Sequence, residues 1–322
     1  MALPVLSALN LSLSSACGAN CVFCPSDRGK SIKQKIMPYQ LAKKIIDDAA
    51  VASPGVKIER LSYGENGDLF INKNAMEILR YAKLKIPQAV KFCSVNLQNM
   101  SEDIIRDIVG ERLFDAISFN IDGFDDASFR AQKRIPIKYV NQYLSYILRM
   151  REECNSPLRV IISVLTLRHY AKAAVATLGK VPSKIHDLND IWIDDDYKKI
   201  ESAIRPLLRE SDQFGRATPI LWAERHTVDP STIAHDEYPC PHLYRIVKEA
   251  FIAPDGTWYA CCNDADNQLN LGNVATQSLA EIAASDKRAE LVKRLADRRY
   301  GEIGPPCDTV NCCQPIAVPD FD

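Results

Sequence analysis

Three cysteines stand in one short run, SSACGANCVFCPSD, spaced Cys17-x3-Cys21-x2-Cys24 directly after an apolar, strand-like segment. In a reducing compartment clustered thiols are read first as metal ligands. Three thiolates in one loop can take three irons of a cubane cluster and leave the fourth iron free of protein, a place for a small molecule to bind. A tetrahedral zinc site asks for four donors, and this loop offers three with no histidine nearby. The other cysteines are Cys93 and Cys154 in mid-chain and Cys240, Cys261, Cys262, Cys307, Cys312 and Cys313 towards the C-terminus.

The bulk numbers agree with metal chemistry more than with the alternatives. The chain has 322 residues, 40 Lys and Arg against 41 Asp and Glu, and a formal net charge of -1. Such a balance gives no reason to expect a nucleic acid or an anionic membrane as partner. No apolar run is long enough to span a bilayer, and MALPVLSALNLSLSSACGAN lacks the basic and long apolar regions of a secretory signal. The expected setting is the cytoplasm. There, an odd total of 11 cysteines is a poor disulfide framework.

The elements that must carry these residues alternate. Strand-like runs VLSALNLSL, KIERLSY, AVKFCSV, DAISFNI and LRVIISVLT are separated by helix-like stretches such as QLAKKIIDDAAV, AMEILRYAK, SEDIIRDIV and YVNQYLSYILRM. Pro38 and Ser101 mark helix starts. Strand then helix, repeated, predicts a parallel sheet with helical crossovers, doubly wound or curled into a barrel, with function at the C-terminal strand ends. From about Gly179 to Asp236 the alternation fades into a bridge rich in Asp, Pro and Arg. Beyond it, FIAPDGTWYACC reads as a hairpin around Pro254-Asp255-Gly256, followed by the helical stretch ATQSLAEIAASDKRAELVKRLADRR.

The cysteine run, with aromatic Phe23 before its last cysteine and a strand before its first, resembles the signature of radical S-adenosylmethionine (radical SAM) enzymes. The resemblance implies an α/β fold with a partial (β/α)6 TIM-like barrel. Cys17, Cys21 and Cys24 would then bind a 4Fe-4S cluster whose open iron chelates the methionine end of S-adenosyl-L-methionine. Reductive cleavage of that cofactor gives a 5'-deoxyadenosyl radical, which abstracts a substrate hydrogen. The family also places a Gly-Gly-Glu-Pro-like turn after the second strand to hold the methionine ammonium. Here that position reads Tyr63-Gly64-Glu65-Asn66-Gly67-Asp68, without the proline, so Gly64-Glu65 and Gly67-Asp68 are both possible registers. Ser94 and Asn96 would face the cofactor by alternation at the end of the third strand. ISFNIDGFDDASF resembles the family's Ile-Ser-Ile-Asp-Gly segment, with Asn120 at the serine place and Arg134 where an arginine follows.

The C-terminal cysteines resemble the auxiliary-cluster extension of the SPASM or shorter twitch type, a small hairpin-helix domain. That implies a second, auxiliary 4Fe-4S cluster on Cys240, Cys261, Cys307 and Cys312, with Cys262 and Cys313 as possible substitutes for their neighbours. A spare thiol, Cys262 or Cys313, could instead return a hydrogen atom to a substrate radical. The implied organisation is a barrel core over residues 1–180, a bridge over 181–236 and an auxiliary-cluster domain over 237–322.

The implied activity is that of an oxidoreductase or epimerase. The first strand starts within about ten residues of the amino terminus, which leaves no room for a leader-binding domain before it and favours a small-molecule substrate, such as a sugar, aminocyclitol or natural-product intermediate, over a ribosomal peptide. An electron donor such as flavodoxin or ferredoxin is the expected partner. Asp194, Asp195, Asp196, Glu224, His226 and His235 are available in the bridge as bases, and nothing singles one out. The contrasting class is a non-enzymatic iron-sulfur or zinc protein that carries electrons.

Overall fold

The computed structural model describes residues 5–25, 35–51, 53–65, 67–182, 184–185, 197–221, 239–264 and 266–308. The expected alternation is present. Strand β1 (Leu6–Leu11) is buried along almost its whole length, as a continuous apolar run in a parallel sheet should be. Helix α1 (Tyr39–Ala50) buries Ala42, Ile45, Ile46 and Ala49, a stripe at helical spacing, after Pro38 at its N-cap. Next come β2 (Val56–Tyr63), α2 (Ala75–Lys85) and β3 (Val90–Ser94). Helix α3 (Glu102–Gly110) starts where Ser101 accepts the Ile104 N–H at 3.2 Å.

Strand β4 (Ala116–Asn120) leads through Asp122 to α4 (Asp126–Lys133), whose start is a capping box of Asp125 and Ser128. A long helix, α5 (Lys138–Glu153), then β5 (Arg159–Val164) and α6 (Leu167–Leu178) complete the regular part. The stretch that sequence left as an undifferentiated bridge contains α7 (Tyr197–Ile204) and a sixth parallel strand, β6 (Gln213–Arg216). The C-terminal region holds α8 (Leu243–Lys248), β7 (Glu249–Ile252), β8 (Thr257–Tyr259), β9 (Asn270–Asn273), α9 (Leu279–Ala283) and α10 (Asp286–Ala296). The single helical stretch expected there is two helices, because Ser285 caps a new start by accepting the Arg288 N–H.

By contacts the chain divides into two units that do not follow chain order. The first comprises residues 1–16, 32–91 and 227–315. Within it β1 pairs in parallel with β2 on one side and β7 on the other, and β7, β8 and β9 continue as an antiparallel meander. The tight β7–β8 turn has Gly256 at φ 86, and a Cβ there would lie 2.8 Å from Asn273 Oδ1. The second unit comprises residues 17–31, 92–226 and 316–322. There β3, β4, β5 and β6 pair in parallel in sequence order.

Candidate active site

In the second unit, the three cysteines of the opening loop are not in disulfides, with Cys21 buried and Cys17 and Cys24 partly so. The loop is held by backbone bonds: Cys24 N–H donates to Cys21 O at 3.1 Å, Asn20 N–H to Lys133 O at 3.2 Å and Val22 N–H to Gln132 O at 2.9 Å. Val22 packs with Leu165, Leu167 and Tyr170, and Phe23 meets Tyr170 edge-on at 6.1 Å. These contacts hold the loop that carries the cysteines. Burial pushes the Cys21 thiol up to about 11, while the Lys133 ammonium pulls it the other way. A metal must therefore displace a proton from Cys21 to bind it at neutral pH.

Three predicted cofactor residues, Ser94, Asn96 and Asn120, lie in the same unit. Asn96 directs its amide Nδ2 at Cys17 Sγ, 3.0 Å away, and its Oδ1 accepts the Gln98 N–H. β3 ends at Ser94, so Asn96 lies two residues past the strand, and its partner is the thiol itself. Ser94 pairs with Ser118 across the sheet, and Asn120 with Ser163. Arg134 ends α4 in the left-handed region at φ 60. Sequence reasoning did not single out Lys133 or Asp122, which form a buried ion pair of 2.8 Å under this loop. Asp122 is the aspartate of the IDG in ISFNIDGFDDASF, and Lys133 stands between Gln132 and Arg134 with nothing local to mark it.

In the first unit, the turn after β2 has positive φ at Gly64 (93) and Gly67 (84). At Gly67 a Cβ would lie 2.4 Å from Ser14 O, so only glycine lets the turn close on the segment leading into Cys17. The two carboxylates of the turn differ. Asp68 is buried and caps a short turn of helix by accepting the Phe70 N–H at 3.0 Å, and its own N–H donates to Ala16 O. Glu65 is 24% exposed and meets Arg245 Nη2 at 3.4 Å. Burial raises Glu65 to about 7 against the opposing pull of Arg245. Asn66 lies outside the described residues.

Arg245 on α8 also donates to Glu249 at 3.1 Å and to Cys262 Sγ at 3.0 Å. Glu249 is held in turn by Arg60 at 2.8 Å and Asn10 at 3.1 Å. The Cys262 thiol is drawn down to about 5 by a hydrogen bond with Cys261, by His242 and by Arg245. Cys261 Sγ accepts the Asn263 N–H at 3.3 Å, Cys240 lies just before α8, and Cys307 sits in a turn closed by its N–H to Gly304 O at 3.0 Å. Cys312, Cys313, Asp194, Asp195, Asp196, Glu224, His226 and His235 lie outside the described residues. Cys93 is fully buried in β3, and Cys154 caps α5.

The donor set suits iron-sulfur chemistry. A cubane takes one thiolate per iron, and this loop offers three. Cys17, Cys21 and Cys24, with a polarised amide at one sulfur and a cation below, fit such a cluster.

Family comparison agrees. The radical SAM superfamily model matches residues 11–172, and the model of an iron-sulfur cluster-binding domain, SPASM, matches 240–313. No curated protein matches. Several solved structures do. BtrN in complex with AdoMet and 2-DOIA is 14% identical, with a TM-score of 0.53 over 98% of this chain and 95% of its own. Streptococcus suis SuiB bound to its precursor peptide SuiA is 13% identical, with a TM-score of 0.60 over 98% of this chain and 76% of its own. Native anSMEcpe with bound AdoMet is 14% identical, with a TM-score of 0.55 over 96% of this chain and 94% of its own. At such identities the likeness shows a shared fold, the α/β partial barrel with a C-terminal extension. Among the described residues no helix is long and apolar enough to cross a membrane. With its family model spanning half its length, the chain belongs to the radical SAM superfamily, with the 4Fe-4S cluster and S-adenosyl-L-methionine that membership implies and auxiliary iron-sulfur ligation from its SPASM domain.

Proposed function

We propose that the protein dehydrogenates a small molecule, a sugar, aminocyclitol or related natural-product intermediate, with one auxiliary cluster taking up the second electron. Cys17, Cys21 and Cys24 hold the first cluster; Cys240, Cys261, Cys307 and Cys312 hold the auxiliary one. Glu65 receives the methionine ammonium, because Asp68 is spent as a helix cap while Glu65 stays partly exposed. When bound, the cluster and S-adenosyl-L-methionine supply a carbon-centred radical that takes a hydrogen atom. The substrate loses that hydrogen atom, a proton and one further electron, so its mass falls by two hydrogens. A reductant of the flavodoxin or ferredoxin kind supplies the starting electron.

The observation that carries dehydrogenation over epimerisation is the bond from Arg245 to Cys262 Sγ. Epimerisation needs a thiol that still owns its hydrogen atom, and a guanidinium N–H directed at Cys262 Sγ at 3.0 Å favours the thiolate over the thiol. The bond that a Cys262 S–H would donate, to Asn263 Oδ1, is long at 3.9 Å beside the 3.0 Å bond that the sulfur accepts from Arg245. A peptide substrate is the second reading, favoured by the likeness to SuiB with its precursor peptide and to anSMEcpe with a bound Cp18Cys peptide.

Incubation of candidate small molecules and peptides in deuterium oxide decides between these fates. A two-hydrogen mass loss supports dehydrogenation of whichever substrate shows it. One solvent deuterium retained at carbon, and lost in Cys262→Ala, overturns it in favour of epimerisation.

A further inference from the structure

Lys133 ends α4 with its side chain 8% exposed, 2.8 Å from Asp122, which is fully buried. Desolvating two charges rarely repays itself in stability, so a buried pair of this kind invites a functional reading. Its position supplies one. The last carbonyls of α4, those of Gln132 and Lys133, accept the Val22 and Asn20 N–H groups of the cysteine loop. The Lys133 ammonium stands 4.9 Å from the centre of the Phe23 ring, between Cys21 and Cys24 in sequence. Asp122 is fixed independently, since its other oxygen accepts the Leu165 N–H at 2.7 Å. One cation is thus pinned against the cluster loop from two elements, with almost no water to screen it.

A cubane on three thiolates is anionic and becomes more so on reduction by one electron. A desolvated cation beside its ligands favours the reduced form, and an adjacent carboxylate opposes that effect at slightly longer range. We propose that the Lys133–Asp122 pair is a positioning and tuning device for the cluster held by Cys17, Cys21 and Cys24, Lys133 raising its reduction potential and Asp122 limiting the rise. Lys133 also fixes the loop through the face of Phe23. The inference rests on these three cysteines being the ligands.

The test is a potentiometric titration of the reconstituted full-length protein, followed by the electron paramagnetic resonance signal that changes when S-adenosyl-L-methionine is added. Asp122→Asn should raise the reduced-to-oxidised ratio at fixed potential about tenfold, ~59 mV for one electron. Lys133→Met should lower it by a similar factor, and Lys133→Arg should restore it. A pair with only a structural role would shift both variants in the same direction, through greater exposure of the cluster to water, and that result overturns the proposal. So do unchanged potentials. If Lys133→Met fails to load iron, Lys133→Gln takes its place, a downward shift supporting the proposal and any other result overturning it. Cys21→Ala is the control: should it keep its full iron content, the ligand assignment fails rather than the tuning.

Discussion

Single residues carry most of the chemical content, and three of them make distinct predictions. Asn96 donates to Cys17 Sγ, so Asn96→Leu removes a hydrogen bond to a cluster ligand. The expected loss is about 1 kcal/mol of preference for the reduced cluster, roughly fivefold in the reduced-to-oxidised ratio, measured by redox titration. Glu65 is raised to about 7 by burial, so it is increasingly protonated below that pH and ionised above it. An ammonium binds the ionised form. S-adenosyl-L-methionine should therefore bind more tightly as pH rises from about 6 to about 8, and Glu65→Gln should bind weakly with no such slope, by calorimetry under anaerobic conditions. Gly67 has φ 84 and no space for a Cβ, so Gly67→Ala should cost at least about 1 to 3 kcal/mol in chemical denaturation. What the sequence left open here was partnership. The types and spacing of Cys17, Cys21 and Cys24 announce a cluster in one dimension. That Asn96 serves a sulfur and that Glu65 faces Arg245 are three-dimensional facts, because each partner lies far away along the chain, whereas Asp68 caps locally by accepting the Phe70 N–H.

Among the elements, β6 was the least legible. Gln213–Arg216 contains one large apolar residue, Phe214, and offers no alternation to read. It is a strand because its neighbours make it one. Asp212, immediately before it, accepts Arg151 Nη1 at 2.7 Å, the Val160 N–H at 2.8 Å and the Arg209 N–H at 2.8 Å, which sets the register of β6 on β5. Arg151 is 1% exposed, so Asp212→Ala would strand a buried guanidinium. A loss of about 3 to 5 kcal/mol is expected from urea unfolding. By contrast β1 to β5 and the β7–β8 hairpin were plain in the sequence, since continuous apolar runs and a Pro-Asp-Gly turn are local signals. The break between α9 and α10 was missed because the apolar spacing runs on across Ser285, and only the cap shows the interruption.

For the whole molecule, the proposed function divides the chemistry between the two cysteine sets: one would make a radical and the other would receive an electron. Iron content after anaerobic reconstitution should approach about eight per chain, four for each cubane. Cys21→Ala should retain about half of it, and Cys261→Ala likewise, each through loss of a different cluster. The central claim is tested most directly by incubating the reconstituted protein with S-adenosyl-L-methionine and dithionite and measuring 5'-deoxyadenosine by chromatography. The prediction is that the intact protein forms it and Cys21→Ala does not. Fully iron-loaded protein that forms none would contradict the assignment of Cys17, Cys21 and Cys24 as a radical-generating site.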